Sequence, residues 1–254
     1  MTSVPVFRVE AEMLSGAKVR LDGPEGRHAA LVRRLQPGER INLTDGAGLL
    51  AECVVRASGG PADPALDLEV LEHRREPPPD PRLTVVQALP KGDRGETAVE
   101  TMSEIGVDAI VPWAASRSIT QWRGERGGKA LAKWRSTAAE ASKQSRRIWW
   151  PRVEEPAGTA QVARLIAGAT LAAVLHEDAE RSLADLTMPQ DGPQGGPVRD
   201  IVLIVGPEGG ISPEELRAFT EAGGVPYRMG PTVLRTSTAG TAAAAVLLAR
   251  SGRW

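Results

Sequence analysis

The sequence predicts an α/β protein in two parts. A small β-rich barrel comes first, and a larger, mostly parallel sheet with helices on both faces follows. Three observations predict this. The stretch HRREPPPDPR at residues 73–82 cannot continue a central strand or a helix interior, because proline lacks the N–H donor and fixes φ. Short runs that alternate apolar and polar residues precede that break. Strand-like and helix-like patterns alternate after it. We therefore expect one domain over residues 1–73, a linker over 74–82 and a second domain over 83–254. The 254 residues are enough for both to have cores.

In the first part, residues 4–9, 40–44, 49–57 and 66–71 read as strands, with one helix over residues 24–35. The DGAG at residues 45–48 is a hairpin turn signal between two of the strands. In the second part, strands at 83–89 and 108–112 flank a helix at 95–105. A long helix covers 128–147, and a shorter one at 159–167 leads into a strand at 171–176. A Gly/Pro loop at 189–197 follows, then a strand at 201–205, a helix at 213–222, a short strand at 226–229 and a last helix from Thr236.

Composition excludes several classes. A net charge of −1 gives no whole-molecule field that would mark a polyanionic partner, so any basic surface is local. Cys53 is the single cysteine and there are three histidines, which rules out an internal disulfide and leaves no metal-ligand cluster. Residues 1–14 lack the apolar core of a signal peptide, and the small-apolar run at 239–249 is too short to span a bilayer. We expect a cytoplasmic protein without metal or membrane association.

The apolar run at residues 201–205 suits a strand buried on both faces. It ends in Gly206-Pro207-Glu208-Gly209-Gly210. Ser212, Pro213 and Glu215 then form a capping-box helix start. Glycines at the carboxyl end of a parallel strand let the backbone approach a ligand closely, although such a loop also serves as a plain strand-to-helix turn. It is neither a P-loop nor a dinucleotide fingerprint. Further on, MGPTVLRTSTAGTAAAAVLL holds a hydroxyl-rich loop with one charge, Arg235, ahead of an alanine-rich helix. Small side chains allow close backbone packing, as in a core helix or against a second subunit.

A strand ending in GPEGG followed by LRTSTAGTA resembles the SPOUT class of methyltransferases. Within that class it is most similar to the family that methylates uracil N3 in 16S ribosomal RNA. Leu89-Pro90-Lys91-Gly92, Glu104-Ile105-Gly106-Val107, Arg117-Ser118, Glu140 with Gln144-Ser145-Arg146, and His176-Glu177 fall in that family's order. The LQPGE at 35–39 with the DGAG turn resembles its PUA-like barrel. The resemblance covers essentially the whole chain. It implies a deep trefoil knot in the second domain, an exception to the usual rule against threaded chains. It also implies S-adenosylmethionine bound in that knot, a homodimer, and a substrate in 16S rRNA or the small ribosomal subunit. The cofactor-binding residues it implies are His176, Glu177, Gly206, Pro207, Glu208, Gly209, Gly210, Met229, Gly230, Leu234, Arg235, Thr236, Ser237 and Thr238. Many members have Glu where this chain has Ser237, so no general base is assigned there.

Residues 117–152 hold ten basic and two acidic side chains, a net +8 against −9 for the rest of the chain. Five of the six tryptophans lie in or beside this segment: Trp113, Trp122, Trp134, Trp149 and Trp150. Cations neutralise phosphates and flat rings stack on unpaired bases, which points to RNA contact. Trp134, at helical spacing, reads as core. The expected RNA-binding residues are Arg8, Arg27, Arg33, Arg34, Lys91, Arg123, Lys143 and Arg147, with Arg20 able to extend the same surface.

Methylating uracil N3 requires loss of its proton or stabilisation of its anion. Arginine against a uracil oxygen would act as an oxyanion hole does. Arg235, Arg146 and Arg117 are the catalytic candidates. Glu208 would face the cofactor's sulfonium or fix its loop. Two other readings stay open at this point: a different SPOUT methylation (ribose 2′-O or guanine N1) and a non-catalytic RNA-binding or assembly factor.

Overall fold

A computed structural model describes residues 4–189 and 199–254. The described residues fall into two compact units. One lies within Met1–Pro78 and Ser142–Trp150, the other within Pro79–Ala141 and Pro151–Trp254. The Gly/Pro loop expected at 189–197 lies outside the described residues except for Pro189.

The first unit is built on five strands: β1 (Val6–Arg8), β2 (Lys18–Leu21), β3 (Arg40–Thr44), β4 (Leu49–Ser58) and β5 (Leu66–Arg75). Their order is β1-β3-β4-β5-β2. The β1–β3 pair is parallel and the other pairs are antiparallel. The sheet therefore ends at β1 and β2, and the expected barrel is an open half-barrel. Register shifts at Glu52/Cys53 and Val55/Ala57 add the local twist that curls β4 around the core. Phe7, Leu14, Leu21, Ile41, Leu43, Val55 and Leu66 fill its inner face. The helix expected at 24–35 is α1 (Gly23–Arg27) continued by a wide turn at His28–Val32. It stops at Arg34, whose φ of 53° leaves helical space.

The second unit holds a parallel sheet of β6 (Arg82–Ala88), β7 (Ala109–Trp113), β8 (Arg152–Val153), β9 (Leu171–Leu175), β10 (Asp200–Val205) and β11 (Val225–Tyr227). The order is β11-β9-β10-β6-β7-β8, and all pairs are parallel. Alternate residues face opposite sides. Ile201, Leu203 and Val205 of β10 join one core with Leu83 and Val85, and Val202 and Ile204 join the other with Val86 and Ala88. Helices α2 (Arg94–Ile105), α3 (Gly124–Gln144) and α6 (Thr236–Arg250) supply the first core. Helices α4 (Thr159–Gly168) and α5 (Pro213–Glu221) supply the second.

Helix α6 lies close to α2 because its packing face is small. A Cβ on Gly240 would stand 3.0 Å from Met102 Sδ, and the Thr101 and Thr241 hydroxyls bond at 2.6 Å. Trp134 is buried as core and meets Trp122 edge-to-face at 4.9 Å. Helix α3 begins at Gly124, four residues earlier than the glycines at 127–128 suggest, because Gly127 packs on Trp122, where a Cβ would lie 2.9 Å from its carbonyl carbon.

The last residues of α3, from Ser142, belong to the first unit, as does the segment that follows. Gly48 N–H donates to the Ile148 carbonyl, Trp150 N–H donates to the Gly46 carbonyl, and Ala47 bridges Trp149. The segment thus adds a short extended stretch to the DGAG hairpin. Asp45 Oδ1 organises that turn by accepting from Ala47 N–H (2.7 Å) and Leu49 N–H (3.0 Å).

Candidate functional site

The carboxyl ends of neighbouring parallel strands are where α/β sheets gather ligand loops. In the second unit, the loops after β9, β10 and β11 converge there on one cavity of about 810 Å³. Its walls include Leu175, Val205, Ile211, Leu234 and Ala239. Its charged groups include Arg94, Arg117, Glu177 and Glu208.

The loop after β10 has its shape for steric reasons. A Cβ on Gly206 would stand 2.9 Å from Ile211 Cγ1, and one on Gly209 would stand 3.2 Å from both Arg117 Cβ and the Arg117 carbonyl. Gly210 sits at φ 73°, and its N–H donates to the Pro207 carbonyl at 2.9 Å. Thr236, at the start of α6, binds this loop to the next one. Its hydroxyl donates to the Gly206 carbonyl (2.8 Å) and accepts from Gln87 Nε2 (2.9 Å). Gln87 also donates to the Ala88 carbonyl and is fully buried in β6.

Glu208 Oε1 accepts from the Lys91 N–H at 3.1 Å and lies 3.6 Å from Arg94 Nη1, so the loop after β6 holds it. Arg117 Nη1 donates to the Gly209 carbonyl at 3.2 Å. His176 N–H donates to the Tyr227 carbonyl, and His176 Nδ1 accepts from Asp178 N–H at 3.2 Å.

Of the residues implied for the cofactor, His176, Glu177, Gly206, Pro207, Glu208, Gly209, Gly210, Met229, Gly230, Leu234, Arg235 and Thr236 all line the cavity. Ser237 and Thr238 sit in the first turn of α6, where Thr238 N–H donates to the Arg235 carbonyl. Among the catalytic candidates, Arg235 and Arg117 line the cavity. Arg146 belongs to the first unit, where its φ of 57° turns the chain out of α3.

The first unit carries Arg8, Arg27, Arg33 and Arg34 at its surface. Arg8 lies over the Trp150 ring, 5.3 Å from its centroid. Lys143 is differently placed. Its side chain is 8% exposed, its ammonium bonds both oxygens of Glu25 (2.9 and 3.1 Å), and it stands over the Phe7 ring. Arg147 is half-buried, and its carbonyl accepts from Trp150 Nε1. Lys91 and Arg123 are exposed in the second unit. The tryptophan faces expected to stack on bases pack within the protein. Trp113 is buried against Phe219, Trp149 lies on Gly48 with its Nε1–H on the Glu76 carbonyl, and Trp150 lies on Gly46.

Sequence reasoning did not single out Gln87, Arg94 or Arg228. Gln87 had a signal, a lone polar residue in the apolar run VVQAL. Glu215 was legible only as a helix cap, yet it is buried and also accepts from Ser116 and Thr159.

This half-barrel, and a parallel sheet whose strand ends enclose a loop-lined cavity, define a PUA-bearing RNA methyltransferase class. Residues 77–248 match the family profile described as RNA methyltransferase domain, and residues 21–61 match the RNA methyltransferase PUA domain. The chain is 42% identical over 253 residues to the ribosomal RNA small subunit methyltransferase E of Mycobacterium bovis, covering 98% of this chain and 93% of the relative. It superposes on the Neisseria gonorrhoeae ribosomal RNA small subunit methyltransferase E bound to S-adenosyl methionine with a TM-score of 0.81, at 26% identity and 97% and 98% coverage. A putative methyltransferase from Legionella pneumophila in complex with the same cofactor gives 0.83 at 27% identity, with 98% of each chain covered. The chain belongs to the ribosomal RNA small subunit methyltransferase E family.

Proposed function

We propose that this protein transfers a methyl group from S-adenosylmethionine to N3 of one uridine in 16S ribosomal RNA, acting as a homodimer on the small subunit in the cytoplasm. The observation that carries this reading is the convergence of the loops after β9, β10 and β11 on a single cavity, in a chain with these relatives. The cavity's chemistry fits the cofactor. Leu175, Val205, Leu234 and Ala239 offer apolar walls to an adenine, and the glycines of the loop after β10 let backbone approach it. Glu177 and Glu208 place negative charge beside a cationic sulfonium. The class's trefoil knot is part of the proposal. It is supported by the chain's path from the sheet edge at β11 to α6, which packs on β10, β6 and α2.

The cofactor supplies an activated methyl group when bound. This chain's residues bind, orient and exclude water. Glu208, held by Lys91 N–H and Arg94, keeps the loop after β10 in place. Arg235 and Arg117 line the cavity where their guanidiniums can stabilise negative charge developing on a uracil oxygen as N3 loses its proton. Arg146 is the third candidate. Arg8, Arg27, Arg33 and Arg34 hold RNA phosphates. Replacing Arg235 with Lys is expected to lower kcat roughly a hundredfold and to change cofactor affinity little. Single-turnover kinetics beside calorimetry checks this.

The deciding experiment incubates the protein and labelled S-adenosylmethionine with small subunits from a strain lacking the gene. Nuclease digestion and mass spectrometry then locate the label. 3-Methyluridine at one site is the expected result. Label on a ribose 2′-O or a guanine N1 would move the chain to another methylation within the same class. Absence of both label and cofactor binding would favour the RNA-binding factor.

A further inference from the structure

Glu215 is absent from the cavity wall, yet it joins the segments that build it. It is 4% exposed in the first turn of α5. Its Oε1 accepts from Ser116 N–H (2.8 Å) and Thr159 Oγ (3.0 Å). Its Oε2 accepts from Ser116 Oγ (2.9 Å) and Ser212 N–H (3.2 Å). A capping box uses one of these four bonds, the one from the Ser212 N–H. The other three tie the loop after β7 and the start of α4 to the end of the loop after β10. A buried carboxylate is tolerable only where donors converge on it in this way.

The arrangement selects a carboxylate over an amide. Each oxygen faces a backbone N–H, and a backbone N–H cannot reverse its polarity. An amide at this position turns its NH₂ toward one of the two donors in either orientation.

Ser116 precedes Arg117, and Arg117 is the residue packed on the loop after β10. Its Nη1 donates to the Gly209 carbonyl at 3.2 Å, and its own Cβ and carbonyl lie 3.2 Å from where a Cβ on Gly209 would stand. Fixing Ser116 by both N–H and Oγ fixes the backbone from which Arg117 departs.

We propose that Glu215 is a positioning residue for the cofactor site. It anchors Ser116, and through it Arg117 against Gly209, so that the loop after β10 keeps the form that receives S-adenosylmethionine. The inference rests on the function proposed above. Calorimetric titration of S-adenosylmethionine into the full chain, the E215Q, S116A and R117A variants and the E215Q/R117A double variant tests it. Circular dichroism checks that each is folded. E215Q is expected to bind about tenfold more weakly. S116A should bind more weakly by a smaller factor. R117A should cost less affinity in the E215Q background than alone, because Arg117 has already lost its anchor.

A folded E215Q with unchanged affinity overturns the inference, and so do E215Q and R117A losses that simply multiply, since a mere helix cap gives either result. If E215Q does not fold, S116A decides, because it keeps the cap and removes one donor. Weaker binding upholds the inference and unchanged binding overturns it. If the unmodified chain binds no S-adenosylmethionine, the proposed function falls and the inference falls with it.

Discussion

Two glycine-bearing turns, one in each unit, invite comparison. In the DGAG hairpin the space that glycine leaves is filled by the chain itself. A Cβ on Gly48 would lie 2.5 Å from the Trp149 ring, and one on Gly46 would lie 3.1 Å from the Trp150 ring. In the GPEGG loop the glycines lie against Ile211 and Arg117, and a cavity of about 810 Å³ stays open beside them. Both are glycine-bearing turns at the ends of strands. What differs is whether a distant segment of the chain returns to occupy it. The hairpin is a closed joint, and the loop after β10 borders an open cavity.

The most damaging substitution is at Gly48. Gly48→Ala forces a Cβ into Trp149 and the Glu76 carbonyl at φ 96°. Denaturant unfolding should show a loss of roughly 3 kcal/mol. Cofactor affinity of the folded fraction should not change. A drop in affinity would show that the hairpin is more than a joint.

Lys143→Met comes next. It leaves Glu25 half-buried without its ammonium and should cost about 2 kcal/mol of stability, discounted for Glu25's partial exposure. RNA affinity at fixed salt should hold for this variant and fall for Arg33→Ala with Arg34→Ala, whose side chains are exposed. The opposite ranking in a filter-binding salt series would make Lys143 an RNA contact.

Thr236→Val acts at the cavity. It strands the Gly206 carbonyl and one Gln87 donor, which should cost about 1.5 kcal/mol and weaken S-adenosylmethionine binding roughly fivefold. Unchanged calorimetric affinity would detach α6 from the loop's shape.

The smallest effect is at Cys53. Burial pushes its thiol up from the usual 9.0 to about 11, so the folded chain holds a proton that the unfolded chain releases. Its stabilising contribution is complete below about pH 9 and is lost as pH rises toward 11. At pH 8, iodoacetamide should leave Cys53 unmodified until denaturant is added, and rapid labelling of native protein would contradict its burial.

Much of this was legible. The strand at 201–205, the capping box at Ser212–Glu215 and the loops at 206–210 and 229–236 announce themselves through local chemistry, and local chemistry is what a sequence displays. Strand β2 escaped notice because its four alternating residues, KVRL, are few and lead straight into a helix signal. Strand β8 is two residues long and has no periodicity to read.

The two-part α/β plan, the loops that line the cavity and the family could be read from the chain alone, because turn chemistry, apolar periodicity and ordered motifs are properties of short segments. Three features needed the folded chain: residues 142–150 complete the first unit, Lys143 and the paired tryptophans pack within that unit, and Glu215 gathers Ser116 and Thr159. The physical reason is common to all three. Each depends on which donors, rings and charges meet across about 50 to 120 residues of chain, and whether a side chain is free for a ligand depends on what has already packed against it.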